Sequence, residues 1–272
     1  DVQGNRLEWA VWGWSEGMTR WLVDWGVIEG DPYDPTTWAA HDRMMEARRY
    51  APGGRGQIDV EAWAVDSGYA SQAVYAYCRS RPRVFAVDGR HGRTEPFIGA
   101  PRKVEVRWNG KRIPKGAVLW PVGTFPLKSD LYAAIRRTIN GPDETGAWPP
   151  GAMILPGDVA LAYAEQLTAE HMVAVEARSG MMVHQWQKLA GRPNEALDIA
   201  CYARAMAYHL RLDRLTPDQW QALRAERCGA DEDRQSDLFA DAVKVPVASP
   251  ENPAAAGANA TPRSRRTRGR VT

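Results

Sequence analysis

Cysteine is scarce in this 272-residue sequence: Cys78, Cys201 and Cys228 stand far apart and are odd in number. They form neither a disulfide framework nor a CxxC zinc pattern, so a reducing, cytoplasmic setting is expected. No run approaches the ~18 consecutive apolar residues of a membrane span, and no secretory signal opens the chain, so no membrane partner is expected. A GxxxxGK[ST] phosphate loop is lacking too. The stretch "PGGRGQ" is glycine-rich but has no Lys-Ser/Thr to meet phosphate and metal, so ATP hydrolysis is not expected of these residues. The chain opens on an aspartate without an initiator Met, as expected of a fragment whose upstream part has been removed.

Net charge is also low, +2, but it is unevenly laid out. Between Gly89 and Lys128 stand Arg90, Arg93, Arg102, Lys103, Arg107, Lys111, Arg112, Lys115 and Lys128 against only Glu95 and Glu105, a local +7 that leaves about −5 elsewhere. A basic block beside a cluster of acids suits a polyanion held near a metal site; a solvated loop with scattered charges is the plain alternative.

The pattern along the chain is that of an α/β protein. "NRLEWAVWGWS" and "TRWLVDWGVIEG" alternate as two antiparallel strands, with "DVQ" as the remnant of a preceding one. "DPTTWAAHDRMMEARRY" is a helix ended by "GGRGQ"; "IDVEAWAVDSG" is a buried strand, "YASQAVYAYCRSR" a helix and "RVFAVDG" a parallel strand. This order predicts a mixed sheet with helices on both faces. Asn109-Gly110 within "VEVRWNGKRI" predicts a hairpin, read as an insertion at about 100–126 on the sheet rim. Helices follow in "SDLYAAIRRTIN" with a Ser cap, in "PGDVALAYAEQLTAE" and in "RPNEALDIACYARAMAYHLRL" capped by Asn194. "MVAVEARSGMMVHQWQKL" adds a small hairpin, and "TPDQWQALRAERC" closes a folded part, 1–228. Residues 229–272 lack periodicity and are expected to be disordered.

Three acids stand where structural acids are unusual. Asp1 heads the first strand, Asp66 ends the buried strand, and Asp198 sits in the first turn of the "NEALD" helix among apolar neighbours. Carboxylates gathered in one cleft repel, and oxygen ligands select a hard ion such as Mg²⁺ or Mn²⁺. Each also has an ordinary role open to it: Asp198 in the helix dipole, Asp66 as a cap, Asp1 as an exposed end. Spacing alone does not join the three.

"AVDSGYASQAVYAYCR", "LTAEHM" and above all "RPNEALDIACYARAMA" resemble the nuclease region of the lambda-type (GpA-like) phage terminase large subunit. "DVQGNRLEWAVWGW" and "LWPVGTFPLKSDLY" fit the same family in order and spacing, so that the likeness runs from about Asp1 to Leu212. The resemblance implies an RNase H-like fold, a mixed five-stranded sheet flanked by helices, and a cluster of metal-binding acids. Carried over by position, the catalytic and metal-holding acids are Asp66, Asp198 and Asp1, with Glu195 and Asp88 in reserve; Asp59 and Glu61 are taken as edge or surface acids. Asp88 marks a departure, since the family usually has Lys-Gly where this chain has "VDG"; it either joins the metal cluster or caps a turn, and the turn is the favoured reading.

The implied function is that of a metal-dependent DNA endonuclease with two Mg²⁺ or Mn²⁺ ions, cutting concatemeric viral DNA into genome units. Double-stranded DNA, the terminase small subunit, the procapsid portal and an N-terminal ATPase motor are the implied partners, in the host cytoplasm and transiently at the procapsid. Residues 229–272 carry a net +1, which leaves +1 for residues 1–228, so the body is expected to bind DNA weakly unaided. Two rival readings stand beside this one: a resolvase-like nuclease of the same fold, and a non-catalytic module that docks the motor on the portal through the tail.

Overall fold

A computed structural model describes residues 1–51 and 58–228. Alternation sets its first elements. Strand β1 (Arg6–Trp14) turns Leu7, Trp9 and Val11 inward and runs antiparallel to β2 (Arg20–Glu29). Beyond Val11 the register slips: Val11 faces Asp24 while Trp12 faces Leu22, which leaves Val23 as the extra residue of a β-bulge. The slip buries two successive side chains, Val11 and Trp12, and leaves Val23 exposed. Gly26 lies opposite Trp9, where a Cβ would come within 2.8 Å of the indole, so glycine is what lets that ring lie over the strand.

Helix α1 (Pro35–Ala47) starts as its sequence suggests, with Pro35 at the first position and the Asp34 carboxylate accepting from the Thr36 amide at 2.8 Å. Then come β3 (Trp63–Asp66), α2 (Ser71–Cys78), β4 (Val84–Arg90), β5 (Arg102–Trp108) and β6 (Lys111–Gly123). These strands form one mixed sheet in the order β3-β4-β6-β5, the first three parallel and β5 antiparallel. Asn109 and Gly110 turn the β5–β6 hairpin at φ 51° and 71°, the left-handed pair that a two-residue turn needs. The hairpin is more than a rim insertion, because Leu119–Gly123 pairs in parallel with Ala86–Arg90 and completes the sheet.

Helix α3 (Thr124–Thr138) follows β6 at once and starts earlier than the expected Ser129. Pro126 is tolerated there because first-turn amides have no partner within the helix, and Ser129 bonds the Phe125 carbonyl at 3.0 Å instead of capping. The rest is β7 (Met153–Ile154), α4 (Leu161–Leu167), the hairpin β8 (Glu170–Glu176) and β9 (Met182–Lys188), α5 (Glu195–His209) and α6 (Pro217–Cys228).

The α/β class and the mixed sheet are as expected, but the single five-stranded sheet is not. Among the described residues the strands fall into sheets of three (β1-β2-β7), four (β3-β4-β6-β5) and two (β8-β9). No ladder joins β1 to β3. Asp1–Gln3 instead pairs with β1, Asp1 and Glu8 exchanging backbone bonds of 2.7 and 3.0 Å.

The pleat sorts side chains into two cores. Val87 and Val122 join Trp12, Leu22, Leu127, Leu131, Leu197 and Cys201 on the face covered by α3 and α5. Ala86 and Leu119, an odd number of residues away along their strands, join Val65, Trp38, Val74 and Tyr77 on the face covered by α1 and α2. Among the described residues no helix is long and apolar enough to cross a membrane. Segment 229–272, expected to be disordered, lies outside them.

Leu131 is 1 % exposed where α3 meets α5. Leu131→Ala is expected to cost about 2–5 kcal/mol, read as a lower urea midpoint at unchanged m-value.

Candidate active site

Strand β3 delivers Asp66 to the face that carries α5, because its neighbour Val65 faces α1 and α2. The ladder to β4 runs one residue further: Ser67 gives both its amide, at 2.9 Å, and its hydroxyl, at 2.7 Å, to the Val87 carbonyl. The chain then turns at Gly68, where a Cβ would lie 3.0 Å from Asp66 Oδ2. This is why the strand ends in Asp-Ser-Gly: the turn wraps the carboxylate closely and points the Gly68 and Ser67 amides at it.

Helix α5 brings the second acid. Asp198 and Tyr202, four residues apart, share one helix face, and the Tyr202 hydroxyl donates to Asp66 Oδ1 at 3.2 Å. The two carboxylates therefore stand in one field, each half-buried. Burial pushes Asp66 above the usual carboxylate range, against the pull of the two amides and the Tyr202 hydroxyl. Burial also pushes Asp198 up; Lys128 opposes this, while Glu170 and Asp66 add their repulsion. Burial and the same two aspartates hold the Tyr202 phenol well above its ordinary value, so it remains a donor.

Around Asp198 a polar network has formed that sequence reasoning missed. Lys128 Nζ lies 2.6 Å from Glu170 Oε1 and 3.4 Å from Asp198 Oδ1. Asn194 sits at the cap position of α5, but its side chain makes no cap bond; its amide nitrogen donates at 3.0 Å to both Glu170 Oε1 and Asp198 Oδ2. Burial works against the Lys128 ammonium, yet Asp198 and Glu170 outweigh it and hold the group charged. Two signals in the sequence pointed here: Glu170 lies within "LTAEHM", and Tyr202 is one turn beyond Asp198.

Glu195, one turn before Asp198, keeps its Oε2 buried with no hydrogen-bond partner. Asp1 reaches the same neighbourhood by its backbone. Its backbone nitrogen donates to the Glu8 carbonyl at 2.7 Å. The Asp1 carboxylate itself accepts from the Gln3 side chain.

Other expected site residues lie elsewhere. Asp88 shares the α1/α2 face with Ala86 and is held by Arg90 at 2.5 Å and Arg102 at 3.3 Å, so it stands apart from Asp66. Its neighbour Gly89 faces the site, and a Cβ there would lie 3.2 Å from the Tyr202 hydroxyl. Lys128 does not stand on the basic rim, since it is 5 % exposed inside the acid cluster. Arg107 and Arg112 both bond Glu105, and Arg93 lies over the Phe125 ring. Among the described residues Lys103, Lys111 and Lys115 are exposed and make no ion pair. Asp59 pairs with Arg49 and Arg83, and Glu61 with Arg227.

In kind, the donors fit a hard divalent cation. They are all oxygen, they raise one another's proton affinity, and one buried carboxylate oxygen lacks a partner. Among the described residues no three His, Cys, Asp or Glu side chains are already gathered as a metal-holding group.

An acid whose folded pKa lies above its unfolded value, here 3.8, adds stability only at acid pH and loses it as pH rises through the folded value. In EDTA, Asp198→Asn is therefore expected to raise the urea midpoint at neutral pH, with the gain closing as pH falls below about 4. A gap that stays constant with pH contradicts this.

Comparison with known proteins bears on what such a site serves. The family model described as "Terminase large subunit gpA, endonuclease domain" matches residues 1–220. The "Terminase, large subunit" of Enterobacteria phage P21 is 30 % identical over 227 residues, covering 81 % of this chain and 32 % of that protein. That of Escherichia phage lambda is 29 % identical over 230 residues, with the same two shares, 81 % and 32 %. The chain thus spans about a third of the length of the curated relatives it matches. No solved structure matches. With the family model covering most of the described residues, the chain belongs to the terminase large subunit gpA endonuclease-domain family.

Proposed function

We propose that this chain is the metal-dependent DNA-cutting module of a phage packaging motor, with an RNase H-like arrangement of its acids, and that it cuts concatemeric viral DNA into genome units. The observation that carries the reading is the meeting of Asp66, from the end of β3, with Asp198 and Tyr202 on one face of α5. Family membership supplies the reaction class, nuclease hydrolysis during packaging.

Asp66, Asp198 and Glu195 are the groups that would hold divalent ions, Mg²⁺ or Mn²⁺ and two in number, with Asp1 as a further candidate beside them. Such ions, when bound, supply charge neutralisation at the scissile phosphate and a nucleophile at neutral pH. The chain's own residues do the rest. Tyr202 fixes one oxygen of Asp66, and the Gly68 and Ser67 amides orient its carboxylate. Lys128 and Asn194 hold Asp198 and Glu170 in one position, so the acids meet a cation without first reorganising. Lys103, Lys111, Lys115 and Arg93, with Arg107, Arg112, Arg90 and Arg102 tempered by their acidic partners, face the DNA backbone. Phosphate contacts position a duplex without reading it, so site choice falls to a partner such as the terminase small subunit. The ATPase motor and the portal belong to the same assembly, working in the host cytoplasm and transiently at the procapsid.

Nicking of supercoiled plasmid in Mn²⁺ is expected to fall to background in Asp66→Ala and Asp198→Ala; equal cleavage by both variants and wild type rejects the assignment. Lys128→Met and Asn194→Ala, which only position the acids, are expected to lose roughly 10–100-fold. Binding of the ion is separable from cutting. At a hundredfold excess over its Kd, Mn²⁺ is expected to stabilise the wild type by about 2.7 kcal/mol, a rise in Tm of several degrees that Asp66→Ala and Asp198→Ala lack.

A further inference from the structure

Three aromatic rings lie between the loop that follows Asp66 and the tip of the β5–β6 hairpin. Tyr69 follows Asp66 by three residues, and its hydroxyl lies 3.7 Å from where a Cβ on Gly4 would stand. Tyr33, in the turn before α1, meets Tyr69 edge to face, with ring centroids 6.3 Å apart and planes at 67°. Both rings are exposed, at 53 % and 46 %. Tyr33 also lines a shallow cleft of about 600 Å³ with Arg107, Trp108, Asn109, Lys111 and Arg112.

The hairpin end of this line is built into the fold. Val106 is 1 % exposed, Trp108 packs against the core under α1 and α2, and the Arg107 amide donates to the Gln72 side chain of α2 at 2.6 Å. The cleft therefore holds its place relative to the helix that leads away from Asp66. Its chemistry is distinctive: two aromatic walls, an amide at Asn109 and three cations, of which Arg107 and Arg112 share Glu105 while Lys111 makes no ion pair among the described residues.

Cations alone suffice to hold a duplex by its phosphates, because paired bases keep their faces in the stack. Exposed aromatic rings interleaved with cations suit bases whose faces are free. An edge-to-face contact leaves most ring faces of Tyr33 and Tyr69 open to such stacking. The cleft volume lies within the roughly 300–1,000 Å³ of small-ligand sites, room enough for a nucleotide. The amide of Asn109 offers both a donor and an acceptor to a base edge.

We infer that Tyr33, Tyr69 and Trp108, with Lys111 and Arg112, form a binding track for an unpaired DNA strand, on which bases stack between the hairpin tip and the loop that follows Asp66. The inference rests on the nuclease reading for the identity of the polyanion, and it deepens that reading. The substrate at the moment of cutting is then locally unpaired, with one strand drawn over the rings towards Asp66.

The test is fluorescence anisotropy of the whole chain in EDTA with a labelled oligothymidylate of about 12 residues, beside a duplex of the same length. Tighter binding of the single strand is expected, with a loss of roughly 5- to 150-fold in Tyr33→Ala and retention in Tyr33→Phe, which keeps the ring. Tyr33 is exposed, so truncation is not expected to unfold the protein. Lys111→Gln is expected to lower the salt slope by about one unit while leaving the preference for single strands. Duplex bound as tightly as single strand, no binding of the single strand, or wild-type affinity in Tyr33→Ala overturns the inference. The nuclease reading fails separately, by equal plasmid nicking in wild type, Asp66→Ala and Asp198→Ala, an outcome that leaves Tyr33-dependent strand binding standing.

Discussion

One helix laid across two sheets is the constraint on which the rest depends. The inner face of α5 is nearly all small or apolar, Ala196, Leu197, Ala200, Cys201 and Ala205, and it packs in one core with Trp12 and Leu22 of the first sheet and Val87 and Val122 of the second. Small side chains let the helix come close to strands, and with no ladder joining β1 to β3 this shared core ties the two sheets together. The same packing fixes the helix rotation. Once Leu197 and Cys201 point into the core, Asp198 and Tyr202 must lie on the flank that meets the end of β3.

The site is costly to fold. Asp66 and Asp198 are both pushed towards their protonated forms by burial, and Glu195 keeps a carboxylate oxygen without a partner. One buried cation, Lys128, answers Glu170 and Asp198 together, so the cluster keeps an excess of negative charge. Folding energy from the cores under α3 and α5 holds these groups where water would otherwise separate them. An excess of this kind favours cations of higher charge than an ammonium.

Much was legible in the order of residues. The β-bulge apart, alternation located β1 and β2, and a buried apolar run located β3. Asn109-Gly110 marked its hairpin because two left-handed residues in succession are tolerated by few other pairs. The "NEALD" helix and Asp66 at a strand end stood out because an acid among apolar neighbours is chemically conspicuous. Harder to see were the surroundings of Lys128, taken for a rim cation, and of Asp88, left between a turn cap and a reserve ligand, because charge is visible in a sequence but its direction is not. Lys128 faces inward because α3 begins earlier than Ser129, which turns that position towards α5. Asp88 faces away because a strand alternates and Gly89, not Asp88, lies under Tyr202.

The sequence by itself determined the α/β class and the strand and helix order, since periodicity and residue chemistry are local properties, while its likeness to a family, and not spacing, is what joined Asp66 to Asp198. Only the tertiary structure decided that Tyr202 would bridge to Asp66, that Glu170 and Asn194 would join Asp198, and that Tyr33 would come beside Tyr69 and the hairpin tip. Those meetings join residues far apart along the chain, and which of them occur depends on how sheets and helices share their apolar faces, a choice made by the whole core at once.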